Sequence, residues 1–366
     1  MSVIEQSPFP YQGPLPAELV SGRDALVADL TQRARQRRLT ALLGPRRYGK
    51  TSVLARVSAD LAAGGTDTVW IDLYELSSMA DLAAAVDRGL AGVAGTARRL
   101  LDSIAGSVSI RLGVLGVELS KGRRDRPDPV LTLRSLLQVL VRTAGRHDLL
   151  VVLDEFSGVA RVDGAAGLLR SELQHHYRDL AIVFAGSQPS TMRTLFADQA
   201  APFFAQADLV EIGPLPDEAV AEIVESGFIA TKRRAGALTR RVVAAAEGHP
   251  QRAMQLADAL WRHTKRGGVA DDAAWEAALA EVRASVDAGS DRLYELLPAG
   301  HQKTLRVLAT GGSVYGTAAE VLDLSTGTAR AAVDALLGTG YLVHRDDRLR
   351  LVDPLLADWI RRRFSV

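Results

Sequence analysis

Eight consecutive residues, Gly44-Pro45-Arg46-Arg47-Tyr48-Gly49-Lys50-Thr51, constrain this chain more than any other stretch. They satisfy the spacing G-x-x-x-x-G-K-[ST]. They also lie between an apolar run with β character, Leu39–Leu43, and a helical run, Thr51–Ala63. A strand that passes through a glycine-containing loop into a helix aims several backbone N–H groups at one point, where an anion is held well. In that arrangement Lys50 reaches the β- and γ-phosphates of a nucleotide, and the Thr51 hydroxyl ligates Mg²⁺. The pattern recurs by chance; its position between strand and helix makes it informative.

The alternation continues along the chain. Thr68–Leu73, Leu149–Asp154, Ala181–Ala185 and Asp208–Ile212 read as short buried strands. Helical stretches separate them: Met79–Asp102, Val130–Ala144 and Ala165–Tyr177, with Ala25–Arg37 ahead of the first strand. Strands alternating with helices predict a mostly parallel, doubly wound α/β sheet. Ser107–Ser120 alternates like a strand pair and predicts an inserted β-hairpin, followed by a loop over Lys121–Pro129. Ser7–Pro16 reads as an extended arm against the body.

After Pro214 the β signals stop. Pro216–Ser226, Leu238–Glu247, Gln251–Thr264 and Asp271–Ala288 read as helices. From about Ser290, short helices (Leu305–Leu308, Thr317–Leu322, Thr326–Leu337) precede a hairpin of Tyr341–His344 and Arg348–Val352, the pattern of a winged helix. The expected division is an α/β core over 1–214, a helical lid over 215–289 and a winged-helix-like unit over 290–366.

Two further strand ends carry chemistry. Leu149–Leu153 ends in Asp154-Glu155, where Asp154 is placed to hold the Mg²⁺ hydration shell and Glu155 to polarise an attacking water as general base. Ile182–Ala185 leads into Gly186-Ser187-Gln188, where either Ser187 or Gln188 can contact the γ-phosphate or orient water. Asp72, at the end of Trp70-Ile71-Asp72, reads as a structural cap.

Gly44-Pro45-Arg46-Arg47-Tyr48-Gly49-Lys50-Thr51-Ser52, the strand ending Asp154-Glu155-Phe156, and Ala185-Gly186-Ser187-Gln188 together resemble the archaeal-type, STAND-related P-loop ATPases of the AAA+ class. That clade is similar in domain order to the origin-recognition initiators, and the resemblance covers nearly the whole chain. It implies a P-loop NTPase (AAA+/ASCE) parallel-sheet core with an all-helical lid and a C-terminal winged helix, and ATP/ADP with Mg²⁺ as cofactors. Further positions match. Leu19-Val20-Ser21-Gly22-Arg23-Asp24 resembles the hydrophobic-Gly-Arg-Glu box near the adenine, with Asp24 in place of Glu. Gly248-His249-Pro250 resembles the Gly-x-Pro motif of the lid, and Arg252 stands where a sensor-2-like arginine reports on the phosphates. One feature departs from the family. Pro202–Asp208 lacks the arginine that relatives carry before the last core strand, leaving Arg193 or Arg161 as substitutes. Without such a finger, hydrolysis is expected to be slow unless a partner supplies one.

Composition narrows the function classes. The chain has 366 residues, no cysteine and a net charge of +1, which excludes disulfides, thiolate-bound metals and a cysteine nucleophile. Only five of its 44 basic residues are lysines, and GC-rich codon usage accounts for the arginine excess. No apolar run nears the ~20 residues of a membrane span, and Met1–Gln6 has no leader-like pattern, so a cytoplasmic protein without membrane contact is expected. Residues 291–366 carry ten Lys/Arg against nine Asp/Glu, and Thr326–Leu337 offers only Arg330 as a base. DNA grip comes mainly from phosphate neutralisation, so protein docking or autoinhibition is favoured over DNA contact as the role of this unit, and a protein partner or self-association is expected of the chain. Two alternatives to a nucleotide switch stay open: an ATP-regulated DNA-binding initiator or transcription regulator, and a nucleotide-loaded scaffold with negligible turnover.

Overall fold

The computed structural model describes residues 5–107, 113, 128–345 and 348–364. The predicted hairpin at 107–120 lies outside them, apart from Ser107, which ends a helix, and Gly113.

Helix α1 (Asp24–Arg35) leads into β1 (Thr40–Leu43), α2 (Lys50–Ala62) and β2 (Asp67–Asp72). Next come α3 (Met79–Ala91), α4 (Gly95–Ser107) and α5 (Pro129–Ala144), then β3 (Leu149–Asp154) and α6 (Ala165–Leu173). The α/β part closes with β4 (Ala181–Gly186), α7 (Pro189–Ala197) and β5 (Asp208–Glu211). The single helix expected over Met79–Asp102 is two, broken where Gly95 adopts a left-handed φ of 69°, a conformation that costs glycine little.

The five strands form one sheet in the order β2-β3-β4-β1-β5, and every pair is parallel. Because side chains alternate along a strand, β3 sends Leu149, Val151 and Leu153 to one face and Leu150 and Val152 to the other. The first set packs under α3, α4 and α5, the second under α1 and α2. Both faces are covered over the middle of the sheet, so β1, β3 and β4 are buried along their whole length. β4 lies between β1 and β3. Their carboxyl ends, which carry the loop at Gly44–Gly49 and the Asp154-Glu155 pair, therefore flank the end of β4 with its Ser187.

Four phenylalanines fix that edge. Phe156, Phe184, Phe196 and Phe203 are fully buried, with ring centroids 4.7 to 5.8 Å apart. Phe203 belongs to the stretch that lacks an arginine; here the stretch anchors the core.

Helices α8 (Asp217–Ala230), α9 (Thr239–Ala246), α10 (Pro250–Arg262) and α11 (Asp272–Glu295) follow. They build a second apolar cluster that includes Phe9 of the N-terminal arm. Helix α11 has 24 residues and passes through 289 and 290 without a break. Gly289 would meet nothing if it carried a Cβ, so it is an ordinary, weakly unfavourable helix residue. The chain ends with α12 (Ala299–Ala309), α13 (Thr317–Val321), α14 (Thr326–Thr339), an antiparallel pair β6 (Leu342–Arg345) and β7 (Arg348–Leu351), and α15 (Pro354–Arg363), around a third cluster. Among the described residues no helix is long and apolar enough to cross a membrane.

Candidate functional site

The loop after β1 is shaped by close approach. A Cβ on Gly44 would lie 2.3 Å from Ile212 Cγ2 and 2.7 Å from the Ile212 carbonyl oxygen, so only glycine fits beside β5. Gly49 takes a left-handed φ of 87° as N-cap of α2, turning the loop into the helix. The Lys50 ammonium donates to the carbonyls of Gly44 and Pro45, both at 2.8 Å, so it curls back over its own loop. Burial pulls it down to about 8, against the opposing charges of Glu155 and Asp154. A buried ammonium so perturbed lacks a full counter-charge, as expected of a residue placed to meet an anion.

Thr51 Oγ1 donates to Asp154 Oδ2 at 3.0 Å, joining the loop to the end of β3. Burial raises the Asp154 carboxyl above its ordinary value, with the Thr51 bond opposing. Glu155 sits in the left-handed region, φ 52°, and its carboxylate accepts from both the hydroxyl and the backbone N–H of Ser187. Non-glycine residues held there cost free energy and concentrate at functional positions. Ser187 is thus in the site. The Gln188 amide instead accepts from Thr191 in its own helix, 3.2 Å away.

A cavity of about 1090 Å³ opens over these groups. Its wall includes Arg46, Arg47, Tyr48, Gly49, Lys50, Thr51, Ser52, Glu155 and Ser187, and on the far side His249, Pro250 and Arg252. Arg46 lies 5.7 Å from the Tyr74 ring centroid. Tyr48 is buried, which raises its hydroxyl to about 12, and its ring meets His249 edge-on at 5.1 Å. Burial drops His249 to about 4, so the ring is neutral and Nδ1 accepts from the Arg252 backbone N–H, capping α10.

The arm, with Ser21 and Arg23, adds to the wall, as do Ser285 and Gly289 of α11 and Thr339–Tyr341. The Leu15 N–H donates to Ser52 Oγ at 2.8 Å, and Gln251 Nε2 donates to the Tyr11 carbonyl at 3.1 Å. Gly22 has φ 70° and packs so closely on α8 that a Cβ would lie 2.7 Å from that of Ala219. Arg23 turns away from the cavity centre, donating to the carbonyls of Gly213 (2.7 Å) and Pro214 (3.2 Å), and burial lowers it to about 10. Asp72 accepts from the Tyr74 N–H at 3.0 Å, a local turn cap.

Arg252 lies in the wall, but its partner comes from elsewhere in the chain. Asp353, between β7 and α15, accepts from its Nε and Nη2 at 3.0 and 2.5 Å. Neither Arg193 nor Arg161 reaches the cavity; Arg193 pairs with Glu211. Asp353 is the site residue that sequence reasoning missed. Its signal was its place in Leu351–Trp359, a stretch that resembles the C-terminal ending of the STAND-related ATPases but gives Asp353 no role of its own.

No protein-family model matches this chain, and no curated protein matches it in sequence. Solved structures do match in shape. The Walker-type ATPase PABY2304 of Pyrococcus abyssi aligns with a TM-score of 0.72 at 17% identity, over 97% of this chain and 99% of that one. The ORC2 protein of Aeropyrum pernix, in ADPNP–ADP complexes, gives 0.59 at 14%, over 97% and 96%. The ORC1 protein of the same organism, in complex with DNA, gives 0.51 at 14%, over 94% and 93%. At such identities the likeness concerns the fold, which is that of an α/β P-loop NTPase.

Proposed function

We propose that this chain is a Mg²⁺-dependent ATP-binding ATPase of the STAND-related AAA+ kind, working as a nucleotide-controlled switch. The observation that carries the reading is the 3.0 Å bond from Thr51 Oγ1 to Asp154 Oδ2. It joins the two motif segments, 103 residues apart, beneath a cavity walled by Lys50, Arg46 and Arg47.

The donor set fits the cofactors. The Thr51 hydroxyl and the Asp154 carboxylate are hard oxygen ligands. No group of three or more His, Asp or Glu among the described residues makes a self-sufficient metal site. Thr51 and Asp154 would hold Mg²⁺ with too few protein ligands for a closed cage, which suits an ion that keeps waters and binds phosphate. When bound, the ion neutralises charge on the phosphate oxygens. Lys50 leaves the Gly44 and Pro45 carbonyls for the β- and γ-phosphates. Glu155, oriented by Ser187, takes the proton of the attacking water, giving ADP and phosphate. Pro250 and the arm, through Tyr11 and Leu15, line the same cavity.

Turnover is expected to be slow. Arg193 is engaged elsewhere and residues 202–208 hold no arginine, so neither supplies the finger that commonly stabilises the transition state, and a partner or a second copy is its proposed source. DNA is the weaker reading for the C-terminal unit, which we take as a winged helix. The end of α14 rests on the core, where Ser190 Oγ donates to the Gly338 carbonyl at 3.1 Å. The test is calorimetric titration of ATP with Mg²⁺ into wild type and Lys50→Ala. Losing the charge-assisted contacts should weaken binding by roughly tenfold or more. Undiminished affinity refutes the reading.

A further inference from the structure

One segment near the end of the chain touches every part of the molecule. Val352 packs with the cluster behind the motif loop, which includes Tyr48 and Ile212. Leu355 packs into the cluster of α8–α11, and Leu351 and Leu356 into the C-terminal cluster. In the middle stands Asp353. It caps α15 by accepting from the Leu355 N–H at 3.0 Å and grips the Arg252 guanidinium at two points.

Arg252 is correspondingly committed. Nε and Nη2 donate to Asp353, and Nη1 donates to Gln255 Oε1 at 2.6 Å. Gln255 is itself fixed, donating through Nε2 to Ser285 Oγ on α11 at 3.1 Å. Yet Arg252 and Asp353 both line the cavity that holds Lys50, Thr51 and Glu155. A partly buried carboxylate is an unfavourable lining for a phosphate site, because it repels the anion where solvent screening is incomplete. Docking alone does not need it there. α15 is also fastened to α11 by Arg283, which forks onto Asp358 at 2.9 and 2.8 Å, and this pair lies outside the cavity.

We propose that Asp353 is a positioning residue of the nucleotide site. It holds Arg252 off the phosphates, and a nucleoside triphosphate competes for Arg252 where a diphosphate does not, loosening the hold of the C-terminal unit. The inference rests on the reading of the cavity as an ATP site and names its regulation. Guanidinium binds carboxylate and phosphate in the same forked manner, so the two are direct rivals, and the terminal phosphate carries more charge than the carboxylate. Coupling of this kind is reciprocal: whatever releases Asp353 tightens the triphosphate by the same factor.

The experiment measures ATP and ADP affinity, with Mg²⁺, in the full chain. The proteins are wild type, Asp353→Asn, Arg252→Ala and the double variant. Asp353→Asn should tighten ATP relative to ADP by roughly fivefold or more, the low end of measured couplings. Arg252→Ala should abolish that gain, and the double variant should match Arg252→Ala alone. A residue that only supports the fold would move both nucleotides together. An unchanged ATP-to-ADP ratio in Asp353→Asn, or a gain that persists without Arg252, overturns the proposal while leaving the ATP site standing. Wild-type protein that binds neither nucleotide overturns both. If Asp353→Asn does not fold, Asp353→Ser carries the test. It keeps an oxygen for the Leu355 N–H but removes the charge that grips Arg252, and should shift the ratio in the same direction; an unshifted ratio there overturns the proposal equally.

Discussion

Gly44→Ala should destabilise the protein and blunt nucleotide binding, although alanine is the smallest possible addition. The new methyl would sit 2.3 Å from Ile212 Cγ2 and 2.7 Å from the Ile212 carbonyl oxygen, both well inside van der Waals contact. The first neighbour is a side chain and can rotate. The second is backbone, pinned because the Ile212 N–H donates to the Leu43 carbonyl at 2.8 Å, directly before Gly44. The loop must therefore move outward by several tenths of an ångström. Overpacking of this kind costs about 2 kcal/mol. In scanning calorimetry that is a fall of about 4–8 °C in the transition of the α/β core, using the entropy of a domain of about 200 residues. The displaced loop also carries the backbone N–H groups that converge on a phosphate, so ATP affinity should fall as well. A double-mutant cycle separates the two neighbours. In an Ile212→Ala background the side-chain clash is gone and the carbonyl clash remains, so Gly44→Ala should cost less than in wild type but more than nothing. A Gly44→Ala protein with an unchanged midpoint and unchanged affinity refutes the packing account of this glycine.

Other outcomes follow from the same geometry. Glu155→Gln should keep ATP binding and lower phosphate release by roughly a hundredfold or more, as for loss of a general base; undiminished turnover removes Glu155 from that role. Phe9, 1% exposed, lies tilted against Phe228 with ring centroids 5.7 Å apart and covers Gly227, so Phe9→Ala should cost about 3 kcal/mol and show in a denaturant titration that follows the lid helices. A midpoint equal to wild type would mean that the arm contributes nothing to the lid.

Legibility of the sequence followed the range of the interactions. The central strands β1, β3 and β4 were readable because they are buried on both faces, so apolar runs such as Leu149–Leu153 stand out without any partner being known. The loop at Gly44–Thr51 was readable because a phosphate cradle is built from consecutive residues. Strand order was not: nothing local says that β4 separates β1 from β3. The break at Gly95 and the continuation of α11 through Gly289 show the same glycine signal leading to opposite results. Gly95 adopts a left-handed φ, while Gly289 stays helical with open space around it. The Arg252–Asp353 pair spans 101 residues and needs three packed units to exist, so no spacing rule could reveal it.

The site has one property that neither motif states. Its principal polar groups already have protein partners: Lys50 the loop carbonyls, Thr51 Asp154, Glu155 Ser187, Arg252 Asp353. Ligand binding here exchanges bonds rather than adding them, so net affinity is a difference between two sets of comparable strength. In such a site the identity of the displaced partner matters as much as the bond the ligand makes. Displacing the Gly44 and Pro45 carbonyls from Lys50 disturbs one loop. Displacing Asp353 from Arg252 disturbs the segment that holds the C-terminal unit to the core and the lid. The second exchange, and not the first, connects the phosphates to the far end of the chain. That is why affinity for the terminal phosphate should depend on a residue so distant in sequence.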